Sequence, residues 1–271
     1  MGDFTTPLRE NLNRSGIPFQ LAVEKTIETI GVPDVEIVKR EVPWANGFVD
    51  VVARRLNILF AFECKRVDDK AWVLVLTNNG RENQTRCRLE WFNNQTSILP
   101  RAASGHSRVF CDEWNMAEES PESAFCIVPK NTSIGTLEKV CRELLAGCHD
   151  LLDNEEITHE GGFVPIVPVV ITTAKLYTCK FDPRAILDTG KLGESDGQFA
   201  SVDLVRFRKS LVTVRSNPYE PSKMVLENWA EDRERTVFIL TPSALARFLT
   251  SFRSLDAMDP AELSKKLRYP S

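Results

Sequence analysis

The sequence predicts an α/β fold in which a mixed central β-sheet is flanked by helices. Three observations predict it. Apolar residues recur at helical spacing over residues 18–30, two β-rich runs adjoin each other over residues 48–66, and strand and helix patterns alternate over residues 124–173. No convincing linker divides the chain, so we expect one elaborated domain over residues 1–271. We expect its core at about residues 18–181, with a C-terminal extension of unknown role at 182–271.

The elements follow from local patterns. The helix at 18–30 has Pro18 in its first turn and ends before Gly31 and Pro33. The strands are runs rich in β-branched and apolar residues, and the other helices are longer segments that fit the helical period. Strands are predicted at 35–42, 48–66 (two runs), 70–76, 124–128, 163–173, 175–181, 204–214 and 237–240, helices at 81–94, 136–152 and 242–252, and a polar loop at 189–197.

Composition narrows the function classes. The chain has 271 residues, of which 42% are hydrophobic and 27% charged, and this excludes disordered, collagen-like and disulfide-scaffold proteins. No apolar run could span a bilayer and the N-terminus lacks a secretory signal, so we expect a cytoplasmic chain with no membrane partner. The seven cysteines form no Cys-x-x-Cys pair, and we expect free thiols and no zinc site.

The charge is unevenly distributed along the chain. The net charge is −4, yet residues 111–160 alone carry −9 while the flanking segments are slightly basic. The acidic run at 112–123 is expected to be a solvated loop. A local basic surface that binds nucleic acid is therefore compatible with the acidic total.

The segment at 48–66 contains the residues that predict a chemical function. When it is folded as a hairpin with its midpoint after Leu56, residues whose numbers sum to 113 become cross-strand neighbours. Asp50 then lies opposite Glu63. A slip of one residue in this register would destroy the pairing.

Side chains alternate along a strand, so Lys65 shares a face with Glu63 and Cys64 points the other way. Two carboxylates among apolar neighbours need a partner, and Mg²⁺, with Mn²⁺ as a substitute, suits oxygen ligands such as Asp50 and Glu63. Such a metal activates water, while the Lys65 ammonium stabilises charge on a phosphate; this suits phosphodiester hydrolysis. The alternative interpretation is that Asp50 lies in a loop and that Glu63 and Lys65 form an edge-strand ion pair.

The pattern resembles the PD-(D/E)XK nuclease superfamily, which includes restriction-enzyme-like and repair nucleases. A helix, an aspartate at Asp50 and the triplet Glu63-Cys64-Lys65 carry the resemblance, which covers residues 18–95; Val49 replaces the proline of the motif. The resemblance implies a restriction-endonuclease-like core, Mg²⁺-dependent hydrolysis of DNA, and catalytic roles for Asp50, Glu63 and Lys65.

Further candidates follow from the resemblance. The family often adds an acid from the first helix, and Glu24 is the candidate; a solvated helix residue is the alternative. Arg81, Gln84 and Arg88 share one face of the predicted helix at 81–94, where they could contact a phosphate. A solvated polar face is the alternative for these three residues.

Competing functions remain open at this stage. The leading hypothesis is a metal-dependent DNA endonuclease, in a bacterial restriction or phage-defence setting. The main alternative is a catalytically silent module with the same fold that binds nucleic acid or a protein. A third class is a hydrolase of a small phosphoester, which would need a closed pocket. RNA as substrate, a homodimer and a partner subunit all remain open.

Overall fold

Helices pack on both faces of one large mixed sheet, and a second, smaller sheet extends from it. The computed structural model describes residues 5–68, 70–76, 82–93, 109–128, 137–151, 163–211 and 233–252. The predicted mixed α/β fold is confirmed. The helices are α1 (Thr5–Arg14), α2 (Ile17–Thr29), α3 (Leu137–Leu151) and α4 (Leu245–Ser251). The strands are β1 (Val35–Trp44), β2 (Gly47–Arg55), β3 (Ile58–Lys65), β4 (Ala71–Leu76), β5 (Gln84–Asn93), β6 (Val109–Ser120), β7 (Glu122–Ser123), β8 (Phe125–Ile127), β9 (Phe163–Thr172), β10 (Lys175–Lys180), β11 (Gln198–Val202), β12 (Leu204–Ser210) and β13 (Glu234–Leu240).

The large sheet has the strand order β1-β2-β3-β9-β13-β12-β7, with β5 pairing to β9 and β6. The strands β1, β2 and β3 form an antiparallel meander, whereas β3 and β13 both run parallel to β9. The strands β12 and β13 come from the predicted C-terminal extension and continue this sheet. The two strands at its centre, β3 and β9, are apolar on both faces because helices cover both sides.

Two apolar clusters hold the layers together. On one face Leu59 and Ala61 of β3 pack with Leu144 of α3. On the other face Phe60 packs with Val23 of α2, and its ring meets those of Phe248 in α4 and Phe252 just after it edge to face. Alternation along β3 therefore separates the two clusters.

The smaller sheet, with the order β11-β10-β4-β8, begins where the central strands of the large sheet end. The parallel pair β3 and β9 is followed directly along the chain by the parallel pair β4 and β10. A backbone hydrogen bond of 3.0 Å from Lys175 N to Lys70 O joins the connections between the two pairs. The inner face of this sheet, with Trp72 and Leu176, completes the cluster around α3.

The predicted helix at 81–94 is wrong, because this segment forms strand β5. Thr85, Cys87, Leu89 and Trp91 alternate with polar residues, which is the strand period that the helical interpretation overlooked. Cys87 and Leu89 are fully buried, and β5 pairs with both β6 and β9. Pairing on both sides outweighs the weak helical preference of this segment.

The acidic run at 112–123 is not a solvated loop, since most of it forms β6 and β7. Trp114 and Met116 of this run are buried. Its acids face basic residues from later in the chain: Glu113 pairs with Arg208, and Glu118 pairs with Arg247. These long-range ion pairs offset part of the local negative charge.

Two further observations concern the thiols and the lengths of the helices. The seven cysteines are free thiols. Among the described residues no helix is both long enough and apolar enough to cross a membrane.

Arg206 provides a test of the fold. Its guanidinium is fully buried and donates hydrogen bonds to the backbone oxygens of Ser120 (3.0 Å) and Glu118 (2.8 Å) at the end of β6. Arg206→Lys keeps the charge but cannot reach several acceptors with a planar fork, so we expect a loss of about 2–4 kcal/mol in the free energy of unfolding. Urea unfolding measures it. Arg184→Lys, at an exposed position, is the control, and an equal loss in both variants would contradict this role of Arg206.

Candidate active site

The hairpin of β2 and β3 has the register that the sequence predicts. Its ladder runs from Arg55 opposite Ile58 to Val51 opposite Phe62, so every pair sums to 113. A two-residue turn closes the hairpin, with Leu56 in the left-handed region at φ 53°. This register places the next residue of β2 beside the end of β3.

Asp50 is that residue, and it lies one step beyond the last ladder pair. Its Oδ2 accepts a hydrogen bond of 2.6 Å from the backbone N–H of Cys64. The carboxylate thus binds β3 between Glu63 and Lys65, and the interpretation of Asp50 as a loop residue is wrong. The side chain is tied to the strand that carries the other two candidates.

Glu63 and Lys65 lie on one face of β3, as strand alternation requires. The Lys65 Nζ forms an ion pair with Glu63 Oε1. The Glu63 side chain is 16% exposed and that of Lys65 is 28% exposed, so the pair is largely shielded from solvent. It is therefore not the exposed edge-strand pair of the alternative interpretation.

Burial and mutual charge set the protonation of these groups. Burial raises the pKa of the Glu63 carboxyl to about 7, and the charge of Asp50 adds to the increase while Lys65 opposes it. Burial also raises the pKa of Asp50, against the hydrogen bond from Cys64 and the charge of Lys65. Burial lowers the pKa of Lys65, but the Glu63 and Asp50 carboxylates outweigh it and the net pKa is raised. Lys65 is thus the stable cation of the cluster, and Glu63 is the group that titrates near neutral pH.

Glu24 is brought close to this cluster, and it is not the solvated helix residue of the alternative interpretation. It is buried on α2, where its Oε1 accepts a hydrogen bond of 3.2 Å from Gln20 and its Oε2 one of 2.8 Å from Arg40. The same Gln20 amide donates to the backbone oxygen of Asp50 at 3.4 Å. Glu24 also adds to the increase in the pKa of Asp50. Because both its oxygens are engaged, Glu24 holds α2 and β1 together beside Asp50.

Asp50 and Glu63 bring two carboxylates close enough for the charge of one to raise the pKa of the other. The repulsion from Asp50 that raises the pKa of Glu63 is the kind of cost that a bound cation relieves. No group of three or more His, Cys, Asp or Glu residues suited to a metal occurs in the part of the chain that the structure describes. Two carboxylates fit Mg²⁺ or Mn²⁺, which keeps waters and meets substrate oxygens, and they do not fit a closed zinc site.

The remaining candidates lie elsewhere in the fold. Arg81 is outside the described residues. Gln84 and Arg88 are on strand β5, not on a helix, so the predicted shared helical face does not exist. Gln84 lies opposite Ser120 of β6, and the Arg88 backbone N–H donates to Thr236 Oγ1 at 2.9 Å. This places Arg88 against β13, on the far side of β9 from β3.

A buried charge cluster lies near Arg88. The Glu90 carboxylate accepts a hydrogen bond of 2.6 Å from Arg235 Nε and lies 3.0 Å from His149 Nε2. Burial works to raise the pKa of Glu90, but His149 and Arg235 outweigh it and the pKa is lowered. These contacts tie β5, β13 and α3 together.

The sequence analysis missed Gln20, Arg40 and the Cys64 N–H as parts of the candidate site. Gln20 could have been found, because it precedes Glu24 by four residues and therefore shares its side of the helix. Arg40 has no such signal, since its contact with Glu24 depends on how α2 packs against β1.

Three comparisons bear on the identity of the chain. No protein-family model, curated protein or solved structure matches it. The function is therefore inferred from the residues of the candidate site.

The titration of Glu63 makes stability depend on pH. Its pKa is higher in the folded state than in the unfolded chain, where it has the ordinary value of 4.5. The contribution of Glu63 to the free energy of unfolding is therefore fully present below pH 4.5 and is lost as the pH rises through about 7. Between pH 5 and 8 we expect the free energy of unfolding of wild type to fall by at most about 3 kcal/mol more than that of Glu63→Gln. Urea unfolding in EDTA measures both values. Equal losses in the two proteins would show that Glu63 titrates normally.

The contacts of Glu24 give a second prediction. Glu24→Ala removes the buried carboxylate that accepts from both Gln20 and Arg40, and we expect a loss of about 1–3 kcal/mol in the free energy of unfolding. Glu28→Ala is the matched control, because Glu28 lies one turn later on α2 and pairs with the same arginine at 2.8 Å while being more exposed. We expect a loss below about 1 kcal/mol for this control. Thermal and urea unfolding of both variants test this order, and a larger loss for Glu28→Ala would reverse it.

Proposed function

We propose that this chain hydrolyses phosphodiester bonds in DNA with the help of Mg²⁺ or Mn²⁺. One observation carries the proposal: Asp50, Glu63 and Lys65 converge in a partly buried cluster. Two carboxylates with raised pKa values beside a charged amine are costly to a fold, and such clusters concentrate at functional sites. The resemblance of these residues to the PD-(D/E)XK nucleases supports the same reaction class.

Each residue has a role in this chemistry. Asp50 and Glu63 would hold the cation, which when bound supplies charge neutralisation for the phosphate and lowers the pKa of water. The Lys65 ammonium stays protonated, because its pKa is raised, and donates hydrogen bonds to the attacking water or to a phosphate oxygen. In the reaction the attacking water gives up one proton to bulk solvent as its oxygen bonds to phosphorus, one ester P–O bond breaks, and the leaving oxygen takes up a proton from bulk water.

The surroundings of the cluster support fixed positions for these groups. The Cys64 N–H holds the Asp50 carboxylate, and the Gln20 amide holds the Asp50 backbone. Preorganised groups of this kind lower a barrier because they need no rearrangement during the reaction. Glu24 acts in this proposal as a positioning residue rather than as a ligand.

We further propose a cytoplasmic setting, in keeping with the seven free thiols, and a role in bacterial restriction or phage defence. The second candidate function is a nuclease-like module that binds DNA without turnover. It is favoured by the direct ion pair between Lys65 and Glu63, since each group already satisfies the other.

The decisive experiment is cleavage of supercoiled plasmid and single-stranded DNA by the full chain with Mg²⁺, Mn²⁺ or EDTA. We expect cutting that needs the metal, and we expect Asp50→Asn, Glu63→Gln and Lys65→Met each to reduce the rate by at least about 100-fold. Glu28→Gln and Lys25→Met are matched controls, because these two residues form an exposed ion pair on α2. Both controls should cut like wild type.

A binding measurement separates the metal site from turnover. Mn²⁺ is expected to raise the unfolding temperature of wild type, and more at pH 8 than at pH 6, because protonated Glu63 competes with the metal. Asp50→Asn should abolish this stabilisation. Metal-dependent cutting that persists in all three site variants would refute the assignment, and DNA binding by wild type without cutting would favour the silent module.

A further inference from the structure

The direct ion pair between Lys65 and Glu63 has a consequence for the proposed reaction. In that reaction Glu63 holds a cation, and the charge of a bound cation weakens the attraction between Glu63 and Lys65. The Lys65 side chain is only 28% exposed, and a partly buried ammonium that loses its carboxylate is costly unless another acceptor replaces it. A second acceptor near Lys65 would remove this cost.

Glu63 and Lys65 lie on the face of the large sheet that α3 covers. Leu59 and Ala61 of β3 belong to the apolar cluster around α3, and side chains at every second position of a strand continue on the same face. Glu63 and Lys65 are the next two such positions. The side chains of the ion pair are therefore on the α3 side of the sheet and not on the α2 side.

A close contact fixes α3 beside these strands. Gly147 of α3 packs so tightly against β2 that a methyl group at this position would lie 2.7 Å from Val49 Cγ2. Near the end of the helix, the Asp150 carboxylate accepts a hydrogen bond of 3.2 Å from the backbone N–H of Ala45. Val49 directly precedes Asp50, so the contact with Gly147 lies next to the candidate site.

Glu143 occupies the side of α3 that Gly147 presents to the sheet. It precedes Gly147 by four residues, and residues at this spacing lie one above the other on a helix, about 5–6 Å apart. The Glu143 side chain is 51% exposed, and its Oε1 lies 3.7 Å from the Nζ of Lys139, one turn earlier on the same helix. An exposed pair at this spacing is weak, so Glu143 can accept a second cation.

The charge of Glu143 acts on both members of the ion pair. Burial is the main cause of the raised pKa of Glu63, and repulsion from Glu143 contributes to the increase. Burial lowers the pKa of Lys65, the Glu63 carboxylate outweighs it, and the charge of Glu143 adds to the net increase. Glu143 therefore repels Glu63 and attracts Lys65, as an alternative acceptor for the ammonium must.

We propose that Glu143 is a positioning residue of the candidate site, an inference that rests on the proposed nuclease function. Glu143 accepts the Lys65 ammonium when Glu63 turns to a bound cation, and it keeps the ammonium beside the attacking water or the phosphate. No covalent bond changes in this exchange of partners, because only side chains rotate. The direct ion pair between Lys65 and Glu63 is then the resting arrangement of an active site rather than the sign of a silent module.

The first test needs no cleavage. A double-mutant cycle of Lys65→Met and Glu143→Gln, followed by urea unfolding in EDTA at pH 8, measures the coupling between the two side chains. We expect little coupling when Glu63 is present, because Lys65 then pairs with Glu63. In the Glu63→Gln background Lys65 turns to Glu143, and the coupling should change the unfolding equilibrium constant by a further factor of at least about three. The same cycle with Glu138→Gln is the matched control and should show no coupling, because Glu138 of α3 pairs with Lys209.

The second test measures the role of Glu143 in the reaction. Glu143→Gln should lower kcat for plasmid cleavage with Mg²⁺ by about 5- to 50-fold and leave KM nearly unchanged, because the ammonium is misplaced after the substrate has bound. Glu143→Asp keeps the charge and should recover at least about a third of the wild-type kcat, whereas Glu138→Gln should cut like wild type. Equal losses of kcat in the Gln and Asp variants, with a matching loss of stability, would show a merely structural role.

The outcomes separate this inference from the proposed nuclease. If the cycle shows no added coupling in the Glu63→Gln background, Glu143 is not the second acceptor of Lys65, whether or not the chain cuts DNA. If wild type cuts and Glu143→Gln cuts equally fast, the positioning role is wrong and the nuclease stands. If the added coupling is found but wild type never cuts with Mg²⁺ or Mn²⁺, the nuclease is wrong and Glu143 stands only as a second partner of Lys65.

Discussion

The register of the hairpin formed by β2 and β3 is the constraint on which the candidate site depends. The two-residue turn at Leu56 sets this register, and the ladder then ends one step before Asp50. Only in this register does the Asp50 carboxylate reach the Cys64 N–H. A slip of one residue would move every side chain of one strand to the opposite face and would place apolar cores in solvent. Packing on both faces of the sheet therefore protects the arrangement of the charged cluster.

The same packing makes the cluster electrostatically costly. Burial and the charge of Asp50 raise the pKa of Glu63 to about 7, and Lys65 offsets part of this cost through a direct ion pair. A core selected only for stability would replace these groups with apolar side chains of similar size. The cluster lies beside strand positions that are mostly apolar and buried, and the proposed function would explain this contrast.

The sequence allowed the hairpin, its register and the convergence of Asp50, Glu63 and Lys65 to be predicted, because strand alternation is strict and the neighbouring apolar residues mark the strands. The strand β5 could not be recognised from the sequence, because the segment at 81–94 fits both the helical period and the strand period. Its partners β6 and β9 also lie far away in the chain. The acidic run at 112–123 was misinterpreted for the same reason. Its arginine partners, Arg208 and Arg247, follow about a hundred residues later, and local charge alone carries no information about them.

The position of the cluster at the end of paired strands fixes the distances within it. The strands β3 and β9 end at the cluster, and the chain leads on from them into β4 and β10 of the smaller sheet. Side chains at fixed positions on strands keep their separation better than side chains on loops. Asp50, Glu63 and Lys65 are all carried on paired strands of this kind. Backbone pairing thus keeps Asp50 and Glu63 together despite the repulsion that raises the pKa of Glu63.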